Sequence, residues 1–391
     1  MLNRWSAYRV AAQATADAPL LQKRFWTLDL LRLFAAGSVM VFHLSWWSWV
    51  TPRSTPASVM QGATEYPAWT PYAWFGWVGV EIFFVISGFV IFMTADGSSP
   101  ASFVRRRYLR LFPAALVCAT ITAAVALAID LWPMGDLIMR WVRSAFFWPY
   151  GPWIDGVYWT LGVEVAFYLV VALAIRAQRF MAIETVIIAV GCASSAAWLV
   201  NLALNGRLTG DLAPLVSSRT ETVLLLRHGV LFALGALIWA GSHRGWTAKR
   251  LGFAALFSFV GALTILRGAQ IKVSGFDLDH SEYVPIAVWA VAVALIALSA
   301  RYERPIPTSA QAASSVIGRS TYPLYLLHDI VGVALLVMLL NIGFAPGMAL
   351  VTAMCGMLAL AVIVCVYVED RIRPQLDPRN WKISKRATDP G

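Results

Sequence analysis

Residues 75–94 read FGWVGVEIFFVISGFVIFMT, a run of 20 residues in which Glu81 is the single ionisable side chain. A helix needs about 20 mostly apolar residues to cross the hydrocarbon core of a bilayer, so this stretch is typical of a membrane span. The whole chain has the same character: 59% of its 391 residues are hydrophobic, 13% are charged, and its mean hydropathy is +0.67. Soluble domains are about half apolar and a quarter charged. This composition therefore excludes an ordinary soluble enzyme, a disordered chain and a disulfide scaffold.

Similar apolar runs recur along the chain and predict an all-α fold, a polytopic transmembrane helical bundle of about ten spans. We expect one transmembrane domain over 25–370, a cytoplasmic N-terminal tail over 1–24 and a basic cytoplasmic C-terminal tail over 371–391. The spans are predicted near 26–48, 75–94, 108–131, 157–175, 181–201, 222–241, 248–266, 283–300, 317–340 and 346–368.

The distribution of basic residues predicts the orientation of the bundle. If the N-terminus is inside, cytoplasmic segments hold 22 of the 31 Lys and Arg residues, and the opposite side holds seven. Cytoplasmic loops are the ones enriched in Lys and Arg, so ten spans with both termini in the cytoplasm fit this bias. Residues 1–24 lack a continuous apolar stretch and are interpreted as a tail, not a cleaved signal peptide.

The net charge of +10 follows from these basic cytoplasmic segments, so we expect a lipid bilayer and no nucleic acid as partner. The four cysteines fall inside apolar runs without metal-ligand spacing. Buried thiols behave as small hydrophobes, so we expect no disulfide and no metal. The cysteines are Cys118, Cys192, Cys355 and Cys365.

Tryptophans are concentrated at one end of the predicted bundle. Eleven of the 18 lie at or near the outer ends of the first four spans, Trp159 among them. Two interpretations are open: an aromatic belt at the membrane interface, or a surface on which sugar rings stack.

Several ionisable side chains lie inside the apolar runs. Each costs a few kcal/mol to insert, so each is a functional candidate. Arg32 and His43 are 11 residues apart, which puts them on one helix face, about 16 Å from each other along the axis. The full set is Asp29, Arg32, His43, Glu81, Glu164, Arg227, His228, His328 and Asp329.

Depth in the membrane groups His43, Glu81 and Glu164 in one outer layer. A carboxylate close to a histidine orients the ring and stabilises its protonated form, as general-base catalysis requires. A buried structural ion pair would produce the same sequence.

A second basic group lies at the cytoplasmic side, where Arg107 and Arg110 share a helix face at i and i+3. Guanidinium groups suit phosphate oxygens. Simple anchoring at the cytoplasmic surface is the alternative.

Five motifs follow one another along the chain: Thr27–Arg32 followed by Phe42-His43, Gly79–Phe89, Arg107–Arg110 followed by Pro113, Trp159–Glu164 followed by Phe167-Tyr168, and Tyr322–His328. In this order they resemble the acyltransferase-3 family of bacterial membrane acyltransferases. The resemblance covers roughly residues 24–370, and its nearest parallels are stand-alone enzymes that modify exopolysaccharide or O-antigen. Leu30 departs from the usual Gly, and Glu81 stands where Asp is commoner; Phe112 and Thr160 are milder variants.

The resemblance implies transfer of an acyl group, usually acetyl, from acyl-coenzyme A to a sugar hydroxyl, in the bacterial inner membrane. It implies that His43 and Glu164 are essential and that the arginine pair serves the donor. We predict acetyl-CoA as donor and co-substrate and a saccharide or lipid-linked saccharide as acceptor. The predicted residues are His43, Glu164 and Glu81 for catalysis, Arg32, Arg107, Arg110 and Ser87 for coenzyme A, and Trp159, Tyr325, His328 and Arg227 for the acceptor.

Two questions stay open at this stage. His43 is predicted to act as a base in direct transfer, but a two-step route through an acyl-histidine fits the same residues. A polysaccharide transporter or flippase, using the intramembrane charges as a proton relay, is the alternative function. Transporter folds usually contain internal repeats, and the charged spans here are dissimilar.

Overall fold

The structure is a computed structural model that describes residues 25–177, 182–204, 219–302 and 307–376. Helices dominate these ranges, and no strand occurs within them. The predicted tail over 1–24 and most of the one over 371–391 lie outside the described residues. The long helices are α1 Trp26–Phe42, α2 Val78–Ala95, α3 Pro100–Ala128, α4 Met134–Ala145, α5 Trp159–Arg176, α6 Ile183–Ala203, α7 Gly229–Arg244, α8 Ala248–Gly275, α9 Val284–Tyr302, α10 Thr308–Leu327, α11 Ile330–Asn341 and α12 Pro346–Ile363.

Short elements connect or extend these helices. Helix α1 continues through a π-helical turn, His43–Trp47, into Ser48–Val50, and α12 continues through a second π-helical turn, Val364–Glu369. The remaining short elements are Thr55–Met60, Pro67–Trp69, Thr70–Ala73, Gly156–Tyr158, Arg219–Val223 and Asp370–Gln375.

The all-α polytopic bundle predicted from the apolar runs is confirmed. Within the described ranges, eight helices are long and apolar enough to cross a membrane, and a ninth span results if α10 and α11 count as one. The chain is therefore a multi-pass membrane protein.

Two predicted spans differ from the structure. The one expected over 222–241 is broken before Gly229, and α7 has 16 residues, or about 24 Å, which is shorter than a typical hydrocarbon core. Every residue of α7 from Gly229 to Gly241 is buried, so protein surrounds this helix. The span expected over 317–340 is bent by 74° between α10 and α11.

Helix α7 packs against α2 at two glycines. A Cβ atom on Gly88 would overlap the carbonyl oxygen of Phe232, and one on Gly235 would overlap the carbonyl oxygen of Val85. Small residues allow membrane helices to approach this closely and to gain van der Waals contact. This crossing holds α2, which carries Glu81 and Ser87, against the centre of the bundle.

Replacing Gly235 with alanine is expected to destabilise the protein by about 1–3 kcal/mol, because the added methyl group meets backbone and no rotamer change relieves the overlap. Gly252→Ala is the matched control: it is also a helical glycine, but its added Cβ would have no atom within 4 Å. Thermal unfolding of the purified variants in detergent measures the difference. Equal stability of the two variants would show that α2 and α7 can move apart without a loss of stability.

Candidate active site

Three cavities lie along the bundle. The first, named here the basic vestibule, has a volume of about 700 Å³ and lies where α3 begins. Helix α3 starts at Pro100, capped by Ser99, so its arginines project from helical turns and not from a loop. The charged lining residues are Asp29, Arg32, Asp96, Arg105, Arg106, Arg107, Arg110 and Arg319.

The second cavity, the inner pocket, is narrower, at about 120 Å³. Arg107 donates a hydrogen bond of 2.8 Å to Thr94 Oγ1, and its guanidinium lies 5.6 Å from the ring centre of Tyr168. The carboxylate of Glu164 accepts hydrogen bonds from the hydroxyl groups of Tyr168 and Ser87. All four residues predicted to bind coenzyme A line this pocket: Arg32, Ser87, Arg107 and Arg110.

The third cavity, the histidine chamber, has a volume of about 530 Å³ and contains His43 in its wall. Trp159, Arg227 and Tyr325, three of the residues predicted to bind the acceptor, also line it. The fourth, His328, is fully buried behind His43, with the two ring centres 4.9 Å apart.

The three cavities follow one another in series. The vestibule and the inner pocket share Arg32, Arg107 and Arg110 in their walls. The inner pocket and the histidine chamber share Val80 and Tyr325. The three cavities therefore adjoin one another between the arginines and His43.

His43 lies at the start of the π-helical turn His43–Trp47. Such turns are frequent at functional sites. Its Nδ1 atom is 3.0 Å from Oδ1 of Asp329, and the two side chains are 15% and 3% exposed. A carboxylate at Nδ1 fixes the ring and leaves Nε2 available for a proton.

The bend between α10 and α11 brings Asp329 to this position. Asp329 precedes α11, but its own side chain makes no capping hydrogen bond. Instead, Oδ2 of Asp155 accepts a hydrogen bond of 3.0 Å from the backbone N–H of Ile330, and Oδ1 accepts one of 3.1 Å from Val157. Helix N-termini need such acceptors. Because Asp155 supplies the cap, the Asp329 carboxylate is directed to His43.

His328 occupies the other residue of the bend. Its Nδ1 lies 2.9 Å from the carbonyl oxygen of Tyr325 and 3.2 Å from that of Leu324, which identifies Nδ1 as the protonated nitrogen. The ring packs against His43 with its Nδ1 directed to the backbone of α10.

Neither Glu81 nor Glu164 makes a contact with His43 among the interactions of the described residues; Asp329 takes that place. Glu81 pairs instead with His228 at 3.3 Å. Depth along the membrane fixes only the height of a side chain, while its direction around the helix depends on how the helices pack. The sequence singled out Asp329 as an intramembrane charge but contained no signal for Asp155, a loop residue.

Within the described ranges, no group of three or more His, Cys, Asp or Glu residues is arranged to hold a metal ion.

The acyltransferase-3 family, described as an acyltransferase domain, matches residues 25–369. The chain belongs to this family. It is an integral-membrane acyltransferase, and the resemblance of the five motifs is confirmed. Family membership also decides against the transporter alternative.

Two relatives of this acyltransferase come from rhizobia. It is 26% identical to Nodulation protein 10 of Rhizobium leguminosarum bv. viciae over 336 residues, 78% of this chain and 83% of the relative. It is 26% identical to Exopolysaccharide production protein ExoZ of Rhizobium meliloti (strain 1021) over 267 residues, 65% of this chain and 75% of the relative. No solved structure gives a significant match.

Proposed function

We propose that this acyltransferase moves an acetyl group from cytoplasmic acetyl-CoA to a hydroxyl of a saccharide or lipid-linked saccharide, in the bacterial inner membrane. The series of adjoining cavities between the arginines and His43 is the observation that carries the proposal. The name of the ExoZ relative supports an exported polysaccharide as the product.

Coenzyme A is anionic at one end and reactive at the other. Its phosphates rest in the basic vestibule, where guanidinium groups bind phosphate oxygens with charge-assisted hydrogen bonds. Its extended arm passes through the inner pocket, where the Glu164 carboxylate orients it by accepting hydrogen bonds from the amide N–H groups of the arm. The thioester then reaches His43, about 16 Å from Arg32 along α1.

At the thioester, Nε2 of His43 takes the proton of the acceptor hydroxyl while the hydroxyl oxygen attacks the carbonyl carbon. The carbon–sulfur bond breaks, and the proton passes to the departing coenzyme A thiolate. The charge of Asp329, whose Oδ1 lies 3.0 Å from Nδ1, stabilises the imidazolium that forms between these two events. Direct transfer requires no covalent acyl-enzyme, and we favour it over the two-step route.

Membranes that contain the protein, supplied with radiolabelled acetyl-CoA and polysaccharide intermediates, are expected to incorporate label as base-labile O-acetyl ester. Membranes that contain His43→Ala at the same protein level serve as the control. Equal labelling in both preparations would contradict the proposed function.

Replacing Arg110 with glutamine is expected to raise the KM for acetyl-CoA about tenfold or more and to change kcat little, because one charge-assisted phosphate contact is lost at a distance from the thioester. Lys249→Gln, an exposed cation at the start of α8, is the matched control and should leave KM unchanged. An unchanged KM in the Arg110 variant would count against the phosphate role.

A further inference from the structure

The histidine chamber contains more cationic side chains than the proposed chemistry uses. Arg227, Arg267 and Lys272 line it, and none of them makes an ion pair with a carboxylate among the described residues. The Lys272 ammonium lies 4.2 Å from the ring centre of Trp77, which also lines the chamber. The backbone carbonyl of Arg227 is held by Trp198 Nε1 at 2.9 Å.

The chamber wall contains two carboxylates, Glu81 and Asp329, against these three cations. Asp329 is paired with His43 at 3.0 Å, and Glu81 is paired with His228 at 3.3 Å. Glu81 also attracts Arg227 and Lys272, so the wall has an excess of positive side chains that is only partly compensated.

Arg227 and Arg267 are exposed and Lys272 is partly buried, so all three can reach a ligand in the chamber and focus a positive potential into it. Indole rings form much of the remaining wall, at Trp47, Trp77, Trp159 and Trp198, and they suit the flat faces of sugar rings. A cavity of about 530 Å³ lies in the size range of small-molecule sites.

We infer that the acceptor carries an anionic group, a carboxylate or a phosphate, which Arg227, Arg267 and Lys272 bind while the reacting hydroxyl faces His43. The inference rests on the proposed function, in which the acceptor enters the histidine chamber. The anion has two possible sources: an acidic sugar of the saccharide, or the diphosphate of a lipid carrier.

Binding of two matched pairs of acceptors, measured by calorimetric titration of the full-length protein in nanodiscs without donor, tests this inference. One pair is cellobiose and cellobiouronic acid, and the other is a polyprenyl glucoside and polyprenyl diphosphate glucose. In at least one pair, the charged member is expected to bind about tenfold or more tightly than the neutral one. The pair that shows the preference identifies the source of the anion.

In Lys272→Met and in Arg267→Gln, the ratio of the affinities for the charged and the neutral acceptor is expected to fall toward one. The ratio should stay the same in Lys249→Met, which removes an exposed cation outside the chamber. Arg267 is itself exposed, so its variant tests the idea even if the Lys272 variant does not fold. Equal affinity for charged and neutral members in both pairs, or a preference that survives both substitutions, would overturn the inference.

Adding acetyl-CoA to the same samples separates this inference from the proposed function. If charged and neutral acceptors bind equally and receive acetyl groups equally, the inference of an anionic acceptor is contradicted and the proposed function stands. If charged acceptors bind preferentially but receive no acetyl group, the proposed function is contradicted and the inferred preference for an anion stands.

Discussion

Acetyl transfer is expected to fall at least about a thousandfold when His43 is replaced with alanine or glutamine. General bases contribute about 10²–10⁴-fold to a rate, and the two neighbouring histidines are engaged elsewhere: His328 is fully buried, and His228, which also lines the chamber, is paired with Glu81. Glutamine preserves much of the volume of the imidazole ring. A loss of activity in His43→Gln would therefore come from the missing base and not from a cavity left by the substitution. Initial rates with acetyl-CoA and a saturating acceptor measure the effect.

The matched control for this variant is His243→Gln. His243 lies near the end of α7, with its ring stacked on Trp239 at 4.8 Å, and it lines none of the three cavities. Acetyl-CoA affinity, measured by titration, should be unchanged in the His43 variants, because the phosphates bind in the vestibule. A His43→Gln protein that binds acetyl-CoA and retains more than a tenth of the rate would contradict the assignment of His43 as the general base.

Asp329→Asn is expected to lower kcat about a hundredfold or more while the KM for acetyl-CoA stays the same. Asparagine keeps the shape of the side chain beside Nδ1 of His43 but removes the charge that stabilises the imidazolium. Because the donor binds through arginines in the vestibule and inner pocket, its affinity does not depend on this carboxylate. Steady-state kinetics that separate kcat from KM measure the prediction.

A control for Asp329 is Asp136→Asn, which removes an exposed carboxylate of α4 that lines none of the three cavities. Exposed charges of this kind contribute about 0–1 kcal/mol, so kcat and KM should change little. The Asp329 assignment would be wrong if Asp329→Asn kept normal kcat. It would also be wrong if Glu81→Gln alone reproduced the loss expected for the Asp329 variant, since Glu81 contacts His228 in the structure.

The apolar runs of the sequence determined the fold class, because the bilayer requires long apolar helices and this requirement is local to each segment. They also identified the ionisable groups inside the bundle, because a charge in an apolar run is visible without any knowledge of packing. His43 is identified in this way, and the arginines of α3 by their spacing on one helix face at the cytoplasmic side; the structure places them along adjoining cavities.

The tertiary structure alone decided which of these groups meet. The break at His328–Asp329 contains no proline or glycine, and the nearest proline, Pro323, lies within α10, so hydropathy alone predicts one continuous span there. Asp155, 175 residues away in the sequence, accepts the N–H of Ile330 and caps the second half of the bend. The partner of His43 depends on that long-range contact and on how α1, α10 and α11 are rotated about their axes. Hydropathy encodes how deep a side chain lies but not its direction around the helix.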